Sequence, residues 1–173
     1  MTKPNAKLIF LTGMPAAGKT YWGIRIAKKY KMQFTDLDEL VAHKESASIQ
    51  ALFAKYGEAG FREQEHKWLQ QLIETATTNM VVACGGGTPC LNENMALMKK
   101  AGTVIYLQAE IPQLLKHLEH SDEVRPLLNN RGNLSAYLAD LLKKRKVFYE
   151  KADHILPAQD ISLITFDKIF SNV

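Results

Sequence analysis

One short run limits what this chain can fold into: Gly13-Met14-Pro15-Ala16-Ala17-Gly18-Lys19-Thr20. It fits G-x-x-x-x-G-K-[ST], a loop whose backbone N–H groups wrap nucleotide phosphates. The flanks suit that use. Lys7-Leu8-Ile9-Phe10-Leu11-Thr12 is an apolar run of the kind buried in a parallel sheet, and Thr20 to Tyr30 has helical spacing. Strand, glycine-bounded loop and helix N-terminus, in that order, gather unpaired N–H groups and a partial positive charge at one point. There Lys19 is placed to reach the β- and γ-phosphates, and the Thr20 hydroxyl to sit on Mg²⁺. A tight strand-to-helix turn with a surface lysine is the plainer alternative.

Size and composition narrow the class. A chain of 173 residues, 46% apolar and 23% charged, suits one globular domain over residues 1–173. No stretch nears the ~18 apolar residues of a membrane span. Residues 1–7 run straight into the first expected strand, so no signal peptide is expected. A cytoplasmic protein is the expectation. Cys84 and Cys90 form no C-x-x-C pair and have no Cys/His companions for zinc, so Cys84 is expected to pack as a small hydrophobe. The net charge of +4 comes from scattered lysines without interleaved aromatics, which argues against nucleic acid and for small anionic ligands.

Apolar runs alternate with helical patterns along the whole length. Strands are expected near 7–12, 33–36, 80–84, 103–108 and 154–156. Helices are expected over 18–30, 37–56, 59–78, 92–101, 111–120, 134–152 and 162–171. Such alternation predicts an α/β fold with a parallel, five-stranded sheet covered on both faces. Ligands in such sheets bind beyond the carboxyl ends of the strands. The long polar stretch at about 119–133 is the candidate for a mobile lid.

Several clusters fall at those strand ends. Thr35-Asp36-Leu37-Asp38 follows the second strand, and extended alternation would point both carboxylates the same way. One suits Mg²⁺ and the other suits accepting a proton from an attacking hydroxyl, although Asp38 also suits an N-cap for the helix from Glu39. In Gly57-Glu58-Ala59-Gly60-Phe61-Arg62-Glu63-Gln64-Glu65, helical spacing puts Arg62 beside Glu58 and Glu65. That reads either as a surface salt-bridge ladder or as an arginine held to receive a carboxylate. The strand ending at Cys84 runs into Gly85-Gly86-Gly87, a costly sequence for a plain turn but one that lets a ligand approach the backbone. Arg125-Pro126-Leu127-Leu128 lies in the lid stretch, where an arginine could swing onto a transferring phosphoryl group.

Taken together, in this order and spacing, these motifs resemble the shikimate kinase family. The likeness adds Gly23 after the phosphate loop and the R-x-x-x-Y of Arg145 and Tyr149, and it covers nearly the whole chain. The resemblance implies a three-layer P-loop kinase fold of the nucleoside monophosphate kinase type, with sheet order 2-3-1-4-5. It implies transfer of the ATP γ-phosphate to the 3-hydroxyl of shikimate, a step in aromatic amino-acid biosynthesis, by a protein that works as a monomer. It assigns Gly13, Pro15, Ala16, Ala17, Gly18, Lys19 and Thr20 to ATP, with Arg125 near its phosphates. Thr20 and Asp36 then serve Mg²⁺. Asp38 is the candidate base and contacts the shikimate hydroxyls. Arg62 and Arg145 pair with the shikimate carboxylate, Glu65 orients Arg62, and the loop of Gly85, Gly86 and Gly87 offers the Gly86 amide. Lys19, Asp38 and Arg125 are thus the expected catalytic set.

Two of the chain's departures from the family bear on the phosphate loop and the approach to the lid. Ala16 stands where glycine is usual, and Leu118 stands where many members carry an arginine ahead of the lid. Two rival readings stay in view. A gluconate-type kinase leaves Arg62, Arg145 and the triple glycine without a purpose. A binding protein that has lost catalysis leaves unexplained why Lys19, Asp36, Asp38 and Arg125 all survive.

Overall fold

β1 (Leu8–Thr12) is buried at every position because it runs down the middle of the sheet. In this computed structural model, which describes residues 6–91, 93–119 and 133–170, β1 pairs in parallel with β3 (Met80–Ala83) on one side and β4 (Thr103–Gln108) on the other. β2 (Gln33–Asp36) flanks β3, and β5 (His154–Pro157) flanks β4. The five-stranded order is therefore β2-β3-β1-β4-β5, the order expected from the family likeness. Every pair is parallel, so all five carboxyl ends open on one rim.

The two faces of the sheet follow from strand alternation. Ile9, Leu11, Val81, Ile105 and Leu107 join one apolar cluster, completed by Ile26 and Ala27 of α1 (Lys19–Tyr30), Leu114 of α5 (Ile111–Glu119), Leu138 of α6 (Leu134–Tyr149) and Phe166 of α7 (Leu163–Phe170). Leu8, Phe10, Val82, Cys84 and Val104 face the other way, onto Leu69 of α3 (Ile49–Thr75) and Met95 and Met98 of α4 (Asn94–Ala101). A smaller cluster of Val41, Leu52 and Phe61 ties α2 (Leu37–Lys44) to α3. No helix among the described residues is long and apolar enough to cross a membrane.

The helices expected over 37–56 and 59–78 are divided differently. α2 ends at Lys44, and α3 runs on to Thr75 with a bend at Gly57, whose φ of 67° is left-handed. Glycine takes that angle without steric cost. The bend lets the second arm of α3 bring Phe61, Arg62 and Glu65 inward, all of them buried.

Candidate active site

The phosphate loop joins β1 to α1, as its flanks predict. Gly13 has φ 141°, and a Cβ there would lie 2.6 Å from the Leu107 carbonyl oxygen, so only glycine fits. Gly18 caps α1 at φ 90° without a side-chain bond, which leaves the first N–H groups of the helix open to an anion. Lys19 is 8% exposed and donates from Nζ to the Gly13 and Met14 carbonyls at 3.0 and 2.8 Å. Its charge is thus stored on the loop that it would leave to reach a phosphate.

The two aspartates meet by a different geometry from the extended alternation expected. β2 stops at Asp36, which is the N-cap of α2: its Oδ1 accepts from the Asp38 N–H at 3.0 Å. Asp38 is not the cap but sits in the first helical turn. Asp36 Oδ2 accepts from the Thr20 hydroxyl at 2.9 Å, which joins α1 to the end of β2. Asp38 Oδ1 is buried and has no hydrogen-bond partner. Burial and the negative charges of Glu65 and Asp36 push its pKa up to about 7, against the weaker downward pull of Arg62 and Lys19.

Both candidate carboxylate-binding arginines converge on the glycine loop. A Cβ on Gly86 would sit 3.0 Å from Arg145 NH1 and 3.0 Å from Pro15 Cδ, and one on Gly87 would fall on the Arg62 guanidinium. One on Gly85 would lie 2.6 Å from Glu65 Oε1 and 2.9 Å from Asp38 Oδ1. None of the three has a positive φ. Their reason is room: each missing side chain admits a charged group from another element. Neighbouring residues of one loop thus carry Arg62, Arg145 and Asp38, with Pro15 of the phosphate loop against the same wall.

Glu65 is fully buried and accepts from Arg62 NH1 at 2.5 Å, while Glu58 reaches Arg62 NH2 only at 3.7 Å. Burial works against the Arg62 charge, but Glu65 outweighs it and the pKa rises. The surface-ladder alternative therefore fails for this pair, which lies inside the protein. Arg62 Nε is buried without a partner, so one edge of the guanidinium keeps an unused donor. Tyr149, from the R-x-x-x-Y motif, donates to the Gly86 carbonyl at 2.6 Å and braces the loop. Cys84 packs in the apolar interior, as expected, and burial pushes its thiol pKa up. Arg125 and most of the lid stretch, residues 120–132, lie outside the described residues.

Comparison with known proteins gives the family. The shikimate kinase family profile matches residues 15–173. A shikimate kinase of Phocaeicola vulgatus is 37% identical over 155 residues, covering 88% of this chain and 87% of its own. The chain belongs to the shikimate kinase family. The solved shikimate kinase from Acinetobacter baumannii in complex with shikimate superposes with a TM-score of 0.86 at 32% identity, covering 98% of this chain and 96% of that one. The enzyme from Bacteroides thetaiotaomicron gives 0.84 at 34% identity, covering 90% and 89%.

Against that family background the two departures acquire a structural meaning. Leu118 packs against the apolar cluster, and its neighbour His117 brings Nδ1 to 2.8 Å from the Ala16 carbonyl oxygen. From α5, an imidazole thus meets the phosphate loop. Ala16 itself has φ 63°, so its Cβ is in the left-handed region. Ala16→Gly is expected to raise stability by about 1 kcal/mol, because relief of that strain exceeds the added freedom of the unfolded chain. Thermal unfolding measures it, and an unchanged or lower midpoint would contradict the strain.

Proposed function

We propose that this chain is an ATP-dependent shikimate kinase, transferring the γ-phosphoryl group of ATP to the 3-hydroxyl of shikimate. The observation that carries the reading is the meeting of Arg62 and Arg145 on adjacent glycines, with Asp38 beside Gly85 and Lys19 near enough to act on its charge. Two guanidinium groups beside one wall suit a single carboxylate, which fixes a small acid in one orientation. Asp38 then faces the hydroxyl and takes its proton as the phosphorus–oxygen bond forms. With its pKa near 7, the group is a competent base at neutral pH. Lys19 leaves the loop carbonyls to neutralise charge on the transferring group, and the uncapped N-terminus of α1 holds the remaining phosphates.

Thr20 and Asp36 are the residues that would hold Mg²⁺. A hydroxyl and a carboxylate oxygen at 2.9 Å fit a cation that takes most of its ligands from water and substrate phosphates. No cluster of three His, Cys, Asp or Glu among the described residues offers a fuller protein cage. When bound, the ion offsets the negative charge of the β- and γ-phosphates. The chain acts as one catalytic domain and as a monomer, with Arg125 serving the phosphates from residues 119–133.

A coupled assay of ADP release, run with shikimate, gluconate or no acceptor, tests the proposal. Release is expected with shikimate only; gluconate-driven release would favour the sugar-acid kinase, and none at all a binding protein. Lys19→Ala is expected to lower kcat/KM by about 10²–10³ in the same assay. A smaller loss would mean that Lys19 stays on the loop carbonyls during the reaction.

A further inference from the structure

We infer that Thr88 is a positioning residue for the acid substrate: its hydroxyl locks Glu65, and through Glu65 it sets the Arg62 guanidinium that receives the carboxylate. The inference rests on the shikimate kinase reading and adds a residue that the motifs did not single out. Glu65 and Thr88 are both fully buried, and Arg62 is 6% exposed. A buried carboxylate with both oxygens occupied is fixed in direction. Glu65 Oε2 accepts from Arg62 NH1 at 2.5 Å, and Oε1 accepts from the Thr88 hydroxyl. With NH1 committed in this way, the edge left to a ligand carries Nε, which has no partner of its own.

Thr88 is itself held at two further points. Its N–H donates to the Gly85 carbonyl at 3.1 Å. Its carbonyl accepts from Asn94 Nδ2 at 2.8 Å, and Asn94 Oδ1 lies 2.6 Å from His66 Nδ1. A carbonyl cannot donate, so the Thr88 contact fixes which end of the Asn94 amide is nitrogen. The His66 Nδ1 must then carry the hydrogen. Glu65 and His66 are adjacent on α3, so these contacts form a closed ring through the 3₁₀ turn Thr88–Cys90 and the first residue of α4. The ring leaves the Thr88 hydroxyl little freedom except to face Glu65. Valine at 88 would keep the shape and remove the donor, leaving Oε1 bare in a buried place. Glu65 would then turn, and Arg62 with it.

Steady-state kinetics on wild type, Thr88→Val and Thr88→Ser, with thermal unfolding as a folding control, test the inference. Thr88→Val is expected to raise the KM for shikimate about tenfold. The KM for ATP should stay within twofold, and Thr88→Ser, which keeps the hydroxyl, should stay within twofold of wild type throughout. If the valine variant does not fold, Thr88→Ala replaces it in the comparison with serine. A rise in shikimate KM below threefold, a serine variant as impaired as valine, or an equal rise in both KM values would each overturn the inference. Wild-type protein unresponsive to shikimate would instead overturn the functional reading, and this inference with it.

Discussion

Asp38→Asn is expected to lower kcat about a thousandfold and, at pH 8, to make the protein more stable than wild type. Both effects come from one unfavourable placement. The Asp38 carboxyl keeps a buried oxygen without a hydrogen-bond partner, and burial together with Glu65 and Asp36 holds its pKa near 7. An ionised group in that position costs folding energy, and asparagine has the same shape without the charge. The sign follows from linkage. The folded-state pKa lies above the ordinary aspartate value of 3.8, so protonation favours the folded state. That contribution is complete below pH 4 and is lost as pH rises through 7. The stability gain of the asparagine variant is therefore expected to be largest at pH 8 and to fade towards pH 4, as thermal unfolding across that range would record.

Activity runs the other way. In the proposed role of base, Asp38 must be unprotonated, so kcat/KM for shikimate should fall about tenfold per pH unit below about 7 and level off above it. The residual rate of the asparagine variant should lack that acid limb. A flat wild-type profile from pH 5 to 8, or an asparagine variant with near-normal kcat, would leave Asp38 as a hydroxyl-binding group and remove it as a base. Lys19 and Arg62 both pull this pKa down. Lys19→Ala should therefore also move the acid limb to higher pH, which ties the phosphate loop to the base through charge alone.

Much of this site is legible in the amino-acid sequence, because its parts are local. Strand alternation, the phosphate loop and the run of glycines after β3 are properties of consecutive residues, and the sheet order follows from the family likeness. Sequence and fold part company where a local rule meets a competing one. Extended alternation from Asp36 to Asp38 loses to a helix start, because an aspartate that accepts from the N–H two residues on is a favoured cap. The triple glycine suggests room for a ligand, yet its missing side chains first make room for Glu65, Asp38, Arg145 and Arg62. Thr88, Asn94 and His66 carry no signal at all in the sequence. Their contacts span 6 to 28 positions and exist only once α3, α4 and the 3₁₀ turn have packed together. His117 is hidden in the same way, next to the Leu118 to which the family pattern draws attention.

Arg62→Met should both unfold the protein more easily and remove the proposed grip on the acid substrate, and a second substitution separates the two. Glu65 is fully buried, and Arg62 is the cation that compensates it at 2.5 Å. Removing one partner of a buried ion pair strands the other charge, at a cost of about 3–5 kcal/mol. For a protein of this size that is a large part of the total stability. Adding Glu65→Gln removes the stranded charge while its amide oxygen still accepts from the Thr88 hydroxyl. The double variant should therefore recover most of the lost stability in urea unfolding. It should not recover turnover, since neither side chain can now offer a donor pair to the carboxylate; kcat/KM for shikimate should stay at least about a hundredfold below wild type. Stability that fails to return would mean that the methionine packs badly, whatever the charge. Turnover that returns with stability would mean that Arg62 supports the fold and that Arg145 alone carries the acid.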